Sequence, residues 1–245
     1  MTPTTSQVNP ERKARFRQAL SIGELTHVVE NLDVFRECCD WIANYLAKPH
    51  PNLGRAGSVC PFAAPAITKD SLRIAVVRLT ETGDKRSQIV NSITHYREAF
   101  LSLGASEETN ILHAMLILFP DVQSDEAAEL IDGTKEELKA TFVEQGLMLG
   151  EFHARNSSPG LHNPAFKPLR SSTPMLAIRR MVASDYVFLN RSEYDAATRL
   201  RYVETYLKVS GIADPSTRKV LEQTVAALKA ELAVTRTGAT TNPFR

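Results

Sequence analysis

Leu72-Arg73-Ile74-Ala75-Val76-Val77-Arg78-Leu79 is the stretch on which the fold turns. It is dense in β-branched residues and has the length of a strand. Thr82-Gly83-Asp84-Lys85 follows as a turn. From Arg86 to Leu103, Ile89, Ile93, Tyr96, Phe100 and Leu103 fall on one side of a helix, and Gly104 supplies a stop. Asn110 to Phe119 reads as a second strand, apolar enough for the centre of a sheet, and Pro120 closes it. A helix with an acidic first turn starts at Ser124 or Asp125 and runs to about Ala140. Val143 to Phe152 and Pro174 to Met181 read as third and fourth strands; Tyr186 to Leu189 is ambiguous. The order β-α-β-α-β, a long loop, then β predicts an α+β fold. Its mixed, ferredoxin-like (split βαβ) sheet is covered by helices, with 86–103 and 125–140 on one face.

Upstream, Asn31 or Asp33 caps a helix with an apolar stripe of Leu32, Phe35, Cys39, Ile42, Ala43 and Leu46; Pro49 ends it and Trp41 packs beside it. Pro10 to Leu20 reads as a short basic helix after a Thr/Ser/Pro-rich start. Downstream, 192–210 and 215–234 read as amphipathic helices that pack on the domain or on a partner, in a homodimer for instance. The expected organisation is a mobile segment 1–20, one α+β domain 21–234 with its C-terminal helical extension, and a tail 235–245.

The 245 residues suffice for one sizeable core, with 43% hydrophobic and 23% charged residues. A net charge of +1 gives no electrostatic case for nucleic acid or an anionic membrane. No apolar run approaches the roughly 20 residues that span a bilayer. Cys38, Cys39 and Cys60 are too few for a disulfide scaffold, so a cytoplasmic location is the default expectation. The adjacent Cys38 and Cys39 point in different directions on a helix and read as structural.

Two loops carry unusual chemistry. Pro49-His50-Pro51-Asn52-Leu53-Gly54-Arg55-Ala56-Gly57-Ser58-Val59-Cys60-Pro61-Phe62 is neither helix interior nor regular strand. Pro61 stiffens the backbone and pushes Cys60 toward an extended conformation, which suits a ligand or a nucleophile; a small buried hydrophobe fits equally. The second stretch leaves the third strand at Gly150-Glu151-Phe152-His153. It continues through Arg155, Pro159-Gly160-Leu161-His162-Asn163-Pro164 and Arg170. Long loops at strand ends are where αβ folds place ligand sites. A surface loop with satisfied histidines is the plainer account. Phosphate-loop, dinucleotide, His-Glu-x-x-His and Gly-x-Ser-x-Gly motifs are absent. Asp121, Asp125 and Glu126 read as helix-start charges. Glu151, His153 and His162 form a candidate two-histidine, one-carboxylate iron site. Histidine and a Cys-Pro thiolate are also both axial heme ligands, and Arg55, Arg155 and Arg170 are suited to propionates.

The motifs Pro-His-Pro-x-Leu-Gly-Arg, Val-Cys-Pro-Phe, Gly-x-Phe-His and Pro-Gly-Leu-His-Asn-Pro look like those of an uncharacterised bacterial family frequent in actinomycete genomes. More distantly, Cys60-Pro61-Phe62-Ala63, Gly150-Glu151-Phe152-His153 and Pro174-Met175-Leu176-Ala177 resemble the YqcI/YcgG-type heme proteins. That family includes heme-dependent N-hydroxylases of guanidino groups in natural-product biosynthesis. The Pro159–Pro164 loop departs from that family's Arg-rich run. The resemblance implies heme as cofactor and a small, amino-acid-like substrate oxidised at an amine or guanidino nitrogen. The Cys-Pro geometry favours Cys60 as the metal ligand with His153 as a catalytic residue managing protons, and His153 as the axial ligand is the alternative; Arg55, Arg155, His162 and Arg170 would lie around the cofactor. Two other readings stand beside it: a cofactor-free enzyme with Cys60 as nucleophile and His153 as base, and a non-enzymatic binding or scaffold protein.

Overall fold

In the computed structural model, which describes residues 20–103, 110–209 and 214–239, the strands form one sheet. β1 (Leu72–Val76), β2 (Ala114–Leu118), β3 (Leu147–Phe152) and β4 (Met175–Arg180) lie in the order β1-β2-β4-β3. β1 runs parallel to β2 with Leu72 opposite Ala114, and α4 (Lys85–Ser102) supplies the crossover that a parallel pair requires. β4 is antiparallel to both β2 and β3. β2 and β3 therefore run the same way with β4 between them, joined through α5 (Gly133–Glu144), which is a split βαβ arrangement. The protein is α+β with a mixed sheet. β1 adds directly beside β2 with no strand interposed, so two split units are not made.

Alternation along the strands gives each face its own cover. Met115, Ile117, Leu147, Leu149, Leu176 and Ile178 meet Ile89, Ile93 and Phe100 of α4 and Leu138 and Phe142 of α5. On the other face Val76, Leu116, Leu118 and Met175 meet Cys38, Ile42, Leu46 and Ala63. These come from α2 (Leu32–Trp41), the π-helical turn Ile42–Leu46 that follows it, and α3 (Ala63–Thr68). The sequence stripe is displaced by one residue here: Cys38 is buried, whereas Leu32, Cys39 and Ala43 are exposed. In the π turn Ala47 N–H donates to Ile42 O at 2.9 Å. That wider turn keeps residues four apart (38, 42 and 46) over the sheet, where an ordinary helix would drift.

α1 (Ile22–Glu30) precedes α2, with Ser21 and Glu24 forming a capping box at its start. Tyr186–Leu189, ambiguous in sequence, is the short helix α6. α7 (Ala196–Lys208) packs against α5 and α8 (Pro215–Ala239) around Val143, Met148, Tyr202, Val203, Tyr206 and Leu221. α8 runs past the expected end at Val234 because no proline or turn pair interrupts Thr235–Thr237. The basic helix expected over 10–20 falls, except for Leu20, outside the described residues, as do the tail's last six positions, 240–245. Among the described residues no helix is long and apolar enough to cross a membrane.

Candidate functional site

The two unusual loops are built against each other. Gly54 sits at φ 75°, and a Cβ placed on it would stand 2.7 Å from the carbonyl oxygen of His162. Asn163 Nδ2 donates to Asn52 O at 2.8 Å, and His50 stacks on Phe166 with ring centroids 4.5 Å apart. From the π turn and its approach, Trp41 Nε1 donates to Arg170 O at 3.1 Å and Tyr45 Oη donates to Pro168 O at 3.0 Å. Trp41 also meets Phe152, at the end of β3, edge-on at 5.3 Å. Trp41 and Tyr45 are four residues apart, and the wide turn that aligns Cys38, Ile42 and Leu46 with the sheet aligns these two rings with the loop.

An open cavity of about 860 Å³ lies at this junction, lined in part by Trp41, Tyr45, Phe166, Lys167, Arg170 and Ser171. That volume is in the range of small-molecule and cofactor sites. Its wall offers aromatic faces and two cations, and among the described residues no carboxylate. Arg170 Nε donates to Asn156 O at 3.2 Å, and Asn156, itself buried, accepts from Ser158 N–H at 3.0 Å. The loop backbone thereby aims one edge of the Arg170 guanidinium inward and leaves the rest for a ligand.

Ala154 lines this cavity, and the residue before it, His153, is 1% exposed. His153 Nε2 lies 3.0 Å from Asp132 Oδ1, at the end of the π-helical turn Ala128–Asp132 that leads into α5. A carboxylate acceptor fixes the proton on Nε2 and leaves the lone pair on Nδ1. Nδ1 is buried and has no hydrogen-bond partner among the described residues. Glu151, two residues earlier and on the same face of β3, is also buried, 3.4 Å from both Lys135 Nζ and Ser158 Oγ. Burial works against the Lys135 ammonium, but Glu151 and Glu136 outweigh it and hold its pKa above the ordinary lysine value. One turn further along α5, Lys139 donates to Tyr194 Oη and lies over the Tyr194 ring at 4.3 Å. Burial, and then the neighbouring Lys135, pulls Lys139 down to about 8.

The other expected site residues are placed as follows. Cys60 is half-buried in the α2-side cluster, its N–H donating to Leu46 O at 2.8 Å. His153 is tied to Asp132 on the α5 side, and neither residue lines the loop cavity. The structure therefore joins the two loops without bringing thiol and imidazole together. Arg55 spends its guanidinium on its own loop, donating to Ala56 O and Val59 O at 2.9 and 3.1 Å. Arg155 and His162 are exposed, and His162 contributes its backbone to the Gly54 contact. The Glu151–His153–His162 iron site is not formed: His162 is exposed while Glu151 and His153 are buried, and among the described residues no three metal-ligating side chains converge. Sequence reasoning missed Asp132, Lys135, Lys139 and Tyr194. The available signal was Lys139, which interrupts the apolar stripe Leu138, Phe142, Val143 of a helix facing a buried strand.

The family described as a domain of unknown function (DUF6875) matches residues 35–220 of the chain. No curated protein matches it, and no solved structure does.

Proposed function

The chain belongs to that family of unknown function, and we propose that it is a heme-dependent oxygenase of a small nitrogen-bearing metabolite, with His153 as the iron ligand. The observation that carries the reading is the buried, unpartnered Nδ1 of His153 beside a carboxylate-held Nε2. Metal-ligating histidines are typically oriented in this way, with the second ring nitrogen donating to a carboxylate that raises the basicity of the first. The cavity next to His153 supports it chemically. Lys167 and Arg170 would pair the two propionates, and Trp41, Tyr45 and Phe166 would face the porphyrin. A bound heme would supply the oxygen chemistry. The protein's own part is to orient the imidazole through Asp132, hold the carboxylates of cofactor and substrate through the two cations, and keep one side of the site dry through the Trp41–Phe152 contact. With no carboxylate on the wall, a cationic substrate nitrogen would rest on the aromatic faces.

This reading moves the iron ligand from Cys60 to His153, because His153 directly precedes the cavity-lining Ala154 and keeps an unpartnered Nδ1 beside a carboxylate-held Nε2, whereas Cys60 packs half-buried in the α2-side cluster. Among the described residues no base hydrogen-bonds the Cys60 thiol, which the cysteine-nucleophile reading requires: the hydrogen bonds at Cys60 run through its backbone. Hemin titration of the purified protein tests the proposal. A Soret band saturating at one heme per chain is the expected result; a spectrum indistinguishable from free hemin would overturn it.

A further inference from the structure

A second cavity, of about 1270 Å³, opens at the opposite end of the sheet, where β4 leaves toward α7 and α8. Met181, Val182, Leu200, Val209 and Leu232 supply the apolar part of its wall, and the charged side chains of Glu144, Arg180, Arg201, Glu204 and Lys208 line it as well. Apart from Lys208, which adds a second positive charge to the wall, the neighbouring charges are already matched. Arg179 is held by Asp185 at 2.6 Å, Arg201 by Glu144 at 2.5 Å, and Glu204 by Lys229 at 2.7 Å. Arg180 has no carboxylate among the ion pairs of the described residues. Its guanidinium lies over the Phe100 ring at 5.8 Å, and its Nε–H is buried without an acceptor among the described residues. The positive field there is felt elsewhere: burial, then Arg73 and Arg180, hold the His113 pKa below the ordinary histidine value. A buried donor on a permanent cation, beside apolar surface and with the cavity's two carboxylates already paired, is matched by a ligand with one anionic oxygen pair and an apolar body.

We propose that this groove binds an amphiphilic monocarboxylate, with its carboxylate on Arg180 and its chain against α7 and α8. A carboxylate satisfies Nε–H and the adjacent N–H in the forked geometry that guanidinium favours, and the chain covers apolar surface that the helices leave open. The site is separate from the loop cavity and independent of heme.

Calorimetric titration with octanoate and with octan-1-ol tests it. The two probes share a chain and differ at the head group. The wild-type protein should bind one octanoate per chain, roughly tenfold or more tighter than octanol, as expected for a charge-assisted hydrogen bond. Arg180→Gln should reduce octanoate to the affinity of octanol, and Arg180→Lys should restore part of the difference. Ala197→Trp, at an exposed α7 position lining the groove, should abolish binding of both probes without disturbing the core or heme uptake. Equal affinity for octanoate and octanol in the wild-type protein, absence of octanoate binding, or undiminished binding by Ala197→Trp would each overturn the proposal. Those readouts stand even where Arg180→Gln fails to fold.

Discussion

Gly54 leaves room for His162: the Cβ it lacks would lie 2.7 Å from the His162 carbonyl oxygen, across 108 positions of sequence (162 − 54). Gly57 shares the left-handed backbone, at φ 88°, but a Cβ there would meet nothing closer than Arg55 Nη1 at 3.5 Å. The two glycines therefore separate backbone strain from loop-to-loop contact. Gly57→Ala should cost about 1 kcal/mol of stability, the lower end for a non-glycine residue held in this region. Gly54→Ala should cost distinctly more, about 2–3 kcal/mol, because the carbonyl must also give way. Urea unfolding of the two variants checks this, and equal losses would mean that the loops are not locked at His162.

Lys139 sets a pH dependence of stability. In the unfolded chain the amine titrates near 10.5; in the native protein burial lowers it to about 8. Below pH 8 it is protonated in both states, and the native state carries the full penalty of about 3 kcal/mol. Between pH 8 and 10.5 the unfolded state holds more protons, so this contribution to stability rises with pH. Lys135, Glu136, Arg191 and Glu151 are the charges that face the amine, and the first two stay ionised across this window. Lys139→Met should be more stable than wild type at pH 7 by about 2 kcal/mol, after the lost Tyr194 hydrogen bond is allowed for. That advantage should shrink by pH 9.5 in urea unfolding, whereas an advantage independent of pH would rule the amine out as its source.

The cysteines should sort by position on α2 and the loop. Cys38 is 2% exposed, and burial pushes its thiol up to about 12. Cys39, its neighbour, is exposed. Iodoacetamide at pH 8 should label Cys39 rapidly and Cys38 only on unfolding, since the thiolate is the reacting form. Mass spectrometry of the native protein reads this directly; comparable labelling of the pair would contradict the π-turn register.

That register shows where the sequence stops speaking. Period-2 and period-3.6 patterns located the strands and α4 to within a few residues, because burial on a sheet enforces them. A π turn has no such signature, so the helical pattern points to Cys39 where Cys38 carries the stripe. The loops were legible as special through their prolines and glycines, and they do meet. What no spacing could supply was the partner of each side chain. Asp132 carries no sequence signal of the His153 that β3 brings against it, and Cys60, which suits a ligand, a nucleophile or a buried hydrophobe, is settled half-buried in the cluster between α2 and the sheet only by the fold. Side-chain pairing across elements depends on topology, which local periodicity does not encode.

The proposed heme function depends on His153 as the iron ligand. Heme-loaded wild type, Cys60→Ser and His153→Ala should be compared by the absorption spectrum of the ferrous-CO complex, with circular dichroism as the control for folding. Cys60→Ser should keep the wild-type, histidine-type spectrum, and Asp132→Asn should weaken heme retention roughly ten- to hundredfold through loss of the partner at Nε2. His153→Ala should lose the bound-heme spectrum while remaining folded. A His153→Ala protein that retains the wild-type spectrum, or a Cys60→Ser protein that loses it, would contradict the assignment.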